Sequence, residues 1–254
     1  MILSSLSLFP LIYLLIGSTH DNAWIFSSSI SFQFGSNFFQ NLHSLSNRYP
    51  LLLIFTNSLL SATLVTIIST FMILIFIFAT VFLFKKFSRF LDTVFVVFMF
   101  LPTTSHFIGS IYIISELQLR DSFLGIVVPF LINLRIYFYL REEFKMVSQE
   151  ILESFTIDGA SGLQIIQQVF FGIYKQKLIF SMFLLFVTSW NNFIIPLNVI
   201  SNTELFTLPI LIASLADPLN YFIGETFVAL VFQTVPLIIA YVYFSKSIET
   251  HAEV

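Results

Sequence analysis

The sequence contains no cysteine in its 254 residues, and only 10% of its residues are charged. The absence of cysteine excludes disulfide bonds and thiolate metal ligands in this chain. A soluble domain carries about a quarter charged residues, whereas this chain is 57% hydrophobic and has a mean hydropathy of +0.93. These values indicate a membrane protein. The net charge of −3 is less informative than the positions of the individual charges.

Sequence motifs of common enzymes are also missing. The chain has no G-x-x-x-x-G-K-[ST] sequence, the loop that binds nucleotide phosphates through its backbone amides. It has no H-x-x-x-H pair for zinc and no G-x-S-x-G sequence for a nucleophilic serine. We therefore predict that the chain is not an enzyme by itself and that it binds no cofactor.

Apolar stretches predict six transmembrane helices, because a hydrocarbon core of about 30 Å requires about 20 apolar helical residues. The predicted spans cover residues 1–17, 51–84, 90–114, 122–141, 178–200 and 222–244. We expect an all-α, polytopic membrane protein whose uncharged second span is one long tilted helix. Pro102 predicts a kink in the third span. A short re-entrant helix is expected around Leu208–Leu215.

The first apolar stretch has two interpretations. Residues 1–17 are few for a span and are compatible with a cleaved signal peptide. No lysine or arginine precedes Arg48, however, so the basic region of a signal peptide is missing. We favour a first transmembrane helix, from a start that could be truncated. Residues 18–49 then form an external loop, and four phenylalanines predict that this loop packs against the protein. They are Phe32, Phe34, Phe38 and Phe39.

Basic residues orient the predicted spans, because lysine and arginine are enriched in cytoplasmic loops. With both termini inside, the cytoplasmic segments hold eight basic residues and the external segments hold only Arg48 and Arg120. The cytoplasmic residues are Lys85, Lys86, Arg89, Arg141, Lys145, Lys175, Lys177 and Lys246. This orientation places the polar segment 148–177 in the cytoplasm.

Segment 148–177 is a long polar-rich stretch between two apolar ones. Ser148 is suited to cap a helix, and Asp158-Gly159 predicts a turn, because glycine ends helices through a positive φ angle. Beyond the turn, apolar residues at spacings of three and four form one stripe. They are Leu163, Ile166, Val169 and Phe170. The pattern predicts a helix, a turn and a helix that either lie on the bilayer and its spans or contact a soluble partner.

Glu153-Ser-Phe-Thr-Ile-Asp158-Gly159-Ala160, followed by Leu163 and an apolar helix, resembles the "EAA" coupling loop of permeases in ATP-binding-cassette importers. Further matches resemble the maltose and glycerol-phosphate branch of the carbohydrate permeases. They are Asn57-Ser58-Leu59, Leu101-Pro102, Trp190-Asn191-Asn192-Phe193 with Pro196, and Leu205-Phe-Thr-Leu-Pro209. The resemblance covers residues 50–250 in collinear order.

The segment departs from the EAA pattern at five positions. Ser154 and Phe155 replace two alanines, and Ser148 stands where the family has a proline at the start of the first helix. Gly172 and Gln176 replace two prolines expected after the second helix. These changes bear on how tightly the loop is held, and they leave the helix–glycine–helix plan intact.

The resemblance implies a MetI-like permease fold in the inner membrane, with residues 1–49 as first helix and external loop and residues 50–254 as permease core. It implies partner ATPase subunits that use ATP, a second related permease chain and an extracytoplasmic solute-binding protein, which would meet loops 28–43 and 203–221. The solute implied is a sugar or a sugar-like molecule such as glycerol-3-phosphate. The ATPase-docking residues implied are Glu153, Asp158, Gly159, Ala160, Leu163, Ile166, Val169 and Phe170.

Four polar residues inside predicted spans are candidates for the translocation path. Asn191 and Asn192 begin about 20 Å into the membrane, so they face another helix or the path rather than lipid. Arg135 either extends to the cytoplasmic surface or faces a polar cavity. His106 is either a buried neutral histidine paired with a neighbour or a path residue.

Another class of function is an ion-coupled secondary carrier or a membrane anchor without transport. A carrier is expected to have repeated halves and paired intramembrane charges. The sequence has no internal repeat, and Arg135 has no obvious acidic partner. The importer permease is therefore the favoured interpretation.

Overall fold

A computed structural model describes residues 2–22, 24, 32–216 and 222–249, and the regular secondary structure of these residues is helical. The predicted all-α fold is confirmed. Parts of the two external loops expected to meet a binding protein, residues 28–31 and 217–221, lie outside the described residues.

The N-terminal helix α1 (Ile2–Ser18) packs along the C-terminal helix α13 (Ile223–Glu249). The following loop contains a second helix, α2 (Phe38–Arg48), which buries Leu45 and also contacts α13. Phe38 packs against this core, as predicted. Phe32 is partly exposed, but its ring contacts that of Phe9 in α1, with 5.7 Å between the ring centroids. Phe34 and Phe39 are exposed, so the prediction of packing is wrong for these two.

The longest span is α3 (Leu51–Phe78), which continues through a π-helical turn, Ala79–Leu83. Together they form one apolar helix of 33 residues, so the predicted single long span is confirmed. Its most extensive contact is with α10 (Lys175–Trp190). Hydroxyls such as that of Thr66 donate to the carbonyl four residues earlier, which satisfies them within α3.

The third and fourth predicted spans are each broken. The third consists of α4 (Lys85–Phe100) and α5 (Thr103–Glu116), with a bend of 102° between them. The predicted kink is therefore a sharp turn, because Pro102 donates no backbone hydrogen bond and Leu101 before it is extended.

The fourth span consists of α6 (Phe123–Val127), a 3-10 turn (Val128–Phe130) and α7 (Leu134–Lys145), with a bend of 43°. Pro129 lies in the turn, and Asn133 caps α7 by accepting a hydrogen bond from the Ile136 amide. The break was not predicted, because the apolar pattern continues across it.

The polar segment forms α8 (Gln149–Ile157) and α9 (Gly162–Gln168), and a π-helical turn (Val169–Ile173) leads into α10. Beyond α10 lie α11 (Ile194–Val199), a 3-10 turn (Thr203–Leu205) and α12 (Leu208–Leu215). Helix α12 has the bounds expected for the re-entrant helix. It is buried through Leu208, Ile210 and Leu211.

Three helical segments in the described residues are long and apolar enough to cross a membrane alone: Leu51–Leu83, Lys175–Val199 and Ile223–Val242. The two bent pairs add up to two further spans, and α1 is shorter, at 17 residues. One hydrophobic cluster centres on Leu140, Val169 and Phe170, next to the polar segment. A second centres on Trp190, Leu208 and Leu211.

Candidate coupling loop and translocation path

Local capping explains why residues 148–168 fold as two short helices. The Ser148 hydroxyl accepts a hydrogen bond from the Ile151 amide at 3.4 Å, as the sequence predicts. Ser161 caps α9, and its own amide donates to the Gln164 side chain at 2.8 Å, which completes a capping box. The predicted helix, turn and helix are confirmed.

The turn between the two helices requires glycine for its conformation. Gly159 has a φ of +78°, and a Cβ atom placed there would meet nothing within 4 Å. The Ala160 amide donates to the Phe155 carbonyl at 2.9 Å and so satisfies an end of α8. A larger residue at this position would therefore be strained by backbone conformation and not by crowding.

The apolar stripe of α9 and of the π-helical turn after it is the buried side of the segment, which we call its root, and not its outer surface. Ile166, Val169 and Phe170 are 2%, 0% and 0% exposed and pack with residues of α3, α7 and α10 in the first cluster. They cannot contact a partner protein without unpacking, so their place in the predicted docking surface is wrong. A Cβ at Gly162 would lie 2.9 Å from the Phe78 ring, which shows how closely α9 approaches α3.

The outer surface of the segment combines acidic and apolar side chains. Glu153, Asp158 and Leu163 are exposed, and Ile157 is 86% exposed. Glu153 accepts a hydrogen bond from Gln149, and among the described residues neither it nor Asp158 pairs with a basic side chain.

A groove of about 730 Å³ lies beside this surface. Phe155 and Gly172, two of the positions that depart from the family pattern, are among its lining residues. The remaining lining residues are Gln164, Gln167, Gln168, Phe171 and Ile173. The groove gives the exposed face of α8 and α9 a concave, largely uncharged centre.

Two ion pairs connect the spans around the segment to one another. Lys177 at the start of α10 pairs with Glu143 in α7 at 3.1 Å, which joins the helix entering the segment to the helix leaving it. Arg141, 4% exposed, pairs with Asp92 of α4 at 2.6 Å and donates to the Ser88 hydroxyl. Sequence analysis missed Asp92, although a lone acid inside an apolar span was a signal for such a pair.

The Trp190-Asn191-Asn192 sequence lies at the end of α10 and is fixed to α13. The Trp190 indole donates to the Gln233 backbone carbonyl at 2.9 Å, and the side-chain NH₂ group of Gln233 donates to the Asn191 side-chain oxygen at 3.1 Å. Asn191 therefore faces another helix, the first of its two predicted alternatives. Gln233 was also missed, although it is a single amide in an apolar span.

Two of the sequence matches meet in space. Asn57 donates to the carbonyls of Glu204 and Phe206 at 2.8 and 3.1 Å, and the Ser58 hydroxyl accepts from the Leu208 amide at 2.7 Å. Asn192 lines a small pocket beside Ser58. The polar groups at the start of α3 thus hold the backbone that enters α12.

The other two path candidates share a cavity. His106 and Arg135 line a space of about 630 Å³ between the breaks of the third and fourth spans. His106 is exposed and has no hydrogen-bond partner in the described residues, so its interpretation as a buried, paired histidine is wrong. Arg135 faces a partly polar cavity, the second of its predicted alternatives. Asn191 and Asn192 do not line this cavity.

Comparison with known proteins agrees with this architecture. The family model described as "Binding-protein-dependent transport system inner membrane component" matches residues 72–251. The lactose transport system permease protein LacG of Rhizobium radiobacter is 22% identical over 93% of this chain and 86% of its own. The sn-glycerol-3-phosphate transport system permease protein UgpE of Escherichia coli K12 is 26% identical over 79% of this chain and 73% of its own.

A chain in the crystal structure of a bacterial ABC transporter involved in the import of the acidic polysaccharide alginate has a TM-score of 0.79. The match covers 96% of this chain and 92% of that chain at 18% identity, so it shows a shared fold. These findings favour an importer permease over a secondary carrier or an anchor. Because the family model covers most of the sequence, the chain belongs to the inner membrane components of binding-protein-dependent transport systems, as a permease subunit of an ABC importer.

Proposed function

We propose that this chain moves a sugar or a sugar-like solute inward through the inner membrane, and that a separate ATPase drives it through segment 148–177. The names of the two relatives, which transport lactose and glycerol-3-phosphate, support this solute class. One observation carries the mechanical part of the proposal: the exposed surface of α8 and α9 is built on a root that is buried among three spans.

The root explains how a force on the segment reaches the spans. Val169 and Phe170 are fully buried beside Leu140 of α7 and Ile77 of α3, and the chain continues from them directly into α10. Because close-packed interiors transmit displacement, a movement of α9 carries these three helices with it. Closure of an ATPase dimer under the segment would therefore tilt the spans and switch the path from inward- to outward-facing.

The proposed assembly separates ATP hydrolysis from solute movement. ATP binds to the partner ATPase subunits, and this chain contributes no catalytic residue and no cofactor. A second permease chain completes the path, and an extracytoplasmic binding protein delivers the solute to the outer loops. Both termini lie in the cytoplasm. The proposed ATPase-docking surface has Gly159 as its hinge. Its proposed contacts are Glu153, Asp158, Ala160 and Leu163.

Substitution of Gly159 tests the proposal. A β-branched residue at positive φ costs about 1–2 kcal/mol, a shift of about tenfold in a two-state equilibrium. We expect Gly159→Val to lower solute uptake per ATP hydrolysed by about tenfold in proteoliposomes that contain the complete importer. Gly159→Asn is the matched control, because asparagine tolerates this conformation, and it should retain most of the uptake.

Two results would count against the proposal at different levels. Unchanged uptake per ATP in Gly159→Val, with the variant fully assembled, would show that the segment does not transmit force. Failure of any ATPase to co-purify with the wild-type chain would remove the coupling function altogether.

A further inference from the structure

The two broken spans open onto the same cavity. Its wall comes from the end of α4 and from α5 as far as Ile113 on one side, and from the residues around the break before α7 on the other. The polar lining residues are Ser105, His106, Ser110, Asn133 and Arg135. Interrupted helices in transporters expose helix ends and polar groups at membrane depth, where such groups are tolerated only beside a water-filled space or a bound solute.

This cavity contains a positive charge without a counter-ion. Arg135 makes no hydrogen bond or ion pair within the described residues, and the cavity lining includes no aspartate or glutamate. Arg141, less than two turns further along α7, has Asp92 at 2.6 Å. An unpaired arginine inside a membrane span is costly unless water or an anion reaches it. Helix α7 therefore contains Arg141, whose charge Asp92 neutralises, and Arg135, whose charge is available to an anion from outside the chain.

The other polar groups of the cavity are free to donate hydrogen bonds. No side-chain hydrogen bond is made within the described residues by Ser105, His106 or Ser110. Hydroxyls at the packed surface of α3, such as that of Thr70, instead donate to carbonyls of their own helix. The side-chain oxygen of Asn133 accepts from the Ile136 backbone amide at 3.2 Å, which leaves the side-chain NH₂ group unused. Arg135 also lies in the first turn of α7, where the helix dipole adds positive potential.

We propose that this cavity binds the anionic group of the transported solute, and that the solute is a sugar-like molecule bearing a phosphate or a carboxylate. The inference rests on the proposed function and narrows its solute class. The Arg135 guanidinium would bind the anion through two parallel hydrogen bonds, and the serine hydroxyls and His106 would contact the solute hydroxyls. A neutral sugar would leave the Arg135 charge uncompensated.

A lipid phosphate offers the same chemistry as a solute phosphate. Arg135 lies ten residues, or about 15 Å along the helix axis, from Lys145 at the end of α7. A headgroup at the end of α7 would have to enter the membrane by that distance to reach Arg135. We therefore assign the anion to the solute, and a change of vesicle lipid separates the two sources.

The absence of cysteine provides a direct test. Ser105→Cys places one thiol of this chain in the cavity of the complete importer, and the probes are an anionic (sulfonatoethyl) and a cationic (trimethylammonioethyl) methanethiosulfonate. We expect the anionic-to-cationic rate ratio to fall about tenfold when Arg135→Gln is added, since electrostatic focusing changes local ion concentration by at least that factor. Arg135→Lys should preserve the ratio. Ser36→Cys, exposed and outside the cavity, should show no change with Arg135→Gln.

Three results would overturn the inference. The first is no reaction at Ser105→Cys with either reagent in both the nucleotide-free and the ATP-bound importer. The second is a ratio that does not change with Arg135→Gln. The third is a ratio that collapses on transfer from phosphatidylcholine to phosphatidylglycerol vesicles, which would identify a lipid as the anion; we expect the same ratio in both.

Identification of the solute is the last test of the anion site. Mass spectrometry of the molecule released from the partner binding protein should detect an anion, and a neutral sugar there would refute the assignment. Stimulation of ATP hydrolysis by the binding protein reports the proposed function separately. An importer that shows this stimulation but fails the labelling test retains the proposed function and loses only the anion site.

Discussion

The coupling segment, residues 148–173, and helix α4 are anchored in different ways. The coupling segment exposes polar side chains and is held by an apolar root of Ile166, Val169 and Phe170. Helix α4 exposes apolar side chains, and none of its described side chains is buried. Its contact with α7 has a polar root, the ion pair between Asp92 and Arg141, beside which the Phe95 ring packs against Tyr137.

The difference reflects the two solvents. In water, burial of apolar surface drives association, so an apolar root can hold a polar segment. In lipid, apolar surface gains little from contact with protein, and polar contacts contribute to specific helix association. Each region therefore uses as its anchor the side chains that its surroundings solvate poorly. Substitutions at the roots test this comparison.

The largest effect is expected at the apolar root. Phe170→Ala should lower the free energy of unfolding by about 3–5 kcal/mol, because a fully buried ring is replaced by a cavity. Phe171→Ala is the matched control: this neighbour is 58% exposed, and its loss should change stability by less than about 0.5 kcal/mol. Thermal unfolding of the purified complex in detergent measures both. Equal effects would show that the segment is not held through its apolar side.

A smaller effect is expected at the polar root. Asp92→Asn leaves the buried Arg141 charge without a counter-ion and should destabilise the fold by about 3 kcal/mol, at the lower end for buried pairs because the Asp92 side chain is 23% exposed. Glu142→Gln, in the exposed pair with Lys145, should cost less than about 0.5 kcal/mol. The test is completed by the free energies of unfolding of Asp92→Leu, of Arg141→Met and of the double variant that combines them. A double variant less stable than Asp92→Asn would contradict the ion-pair explanation.

The smallest effect is expected where a polar anchor lies in water. Asp121, in the link between α5 and α6, accepts hydrogen bonds from the Ser201 and Asn202 amides, and these bonds lower the pKa of its carboxyl group. A lowered pKa stabilises the folded link above the ordinary aspartate value of about 3.9 and loses this contribution as the pH falls through the folded value.

Hydrogen exchange measures the Asp121 anchor directly. Protection of the Ser201 and Asn202 amides, corrected for intrinsic exchange, should decrease below about pH 4 in the wild type. Asp121→Ala should abolish this pH dependence without detectable loss of global stability. Glu116→Ala, an exposed acid at the same end of α5, should leave it intact. A large global effect of Asp121→Ala would mean that polar anchors do not depend on the solvent around them.

Local features of the fold were predictable from the sequence, and the direction in which surfaces face was not. Ser148, Gly159 and the bounds of α12 follow from capping, turn and apolar patterns that act over a few residues. The periodicity of Ile166 and Val169 defines an apolar face, but it does not show whether that face meets the same chain or a partner.

The charged contacts between spans were equally hidden from sequence. The pair of Asp92 and Arg141 depends on how α4 is placed by the turn at Pro102, which separates the two halves of its span. The shared cavity of His106 and Arg135 depends on a second break that the apolar pattern does not reveal. Contacts between distant elements require the geometry of both breaks, and a linear pattern contains neither.

The two π-helical turns, Ala79–Leu83 and Val169–Ile173, have a mechanical consequence. Each precedes a single residue of similar backbone conformation, Phe84 or Tyr174, and then a helix that begins with lysine. A π-helical turn accommodates one residue more than an α-helical turn. Passing that residue along the chain would rotate the next helix by about 100° about its axis while the backbone stays hydrogen-bonded. Each π-helical turn therefore lies where such a shift would rotate the next helix, α4 or α10, about its axis without breaking the backbone hydrogen bonds.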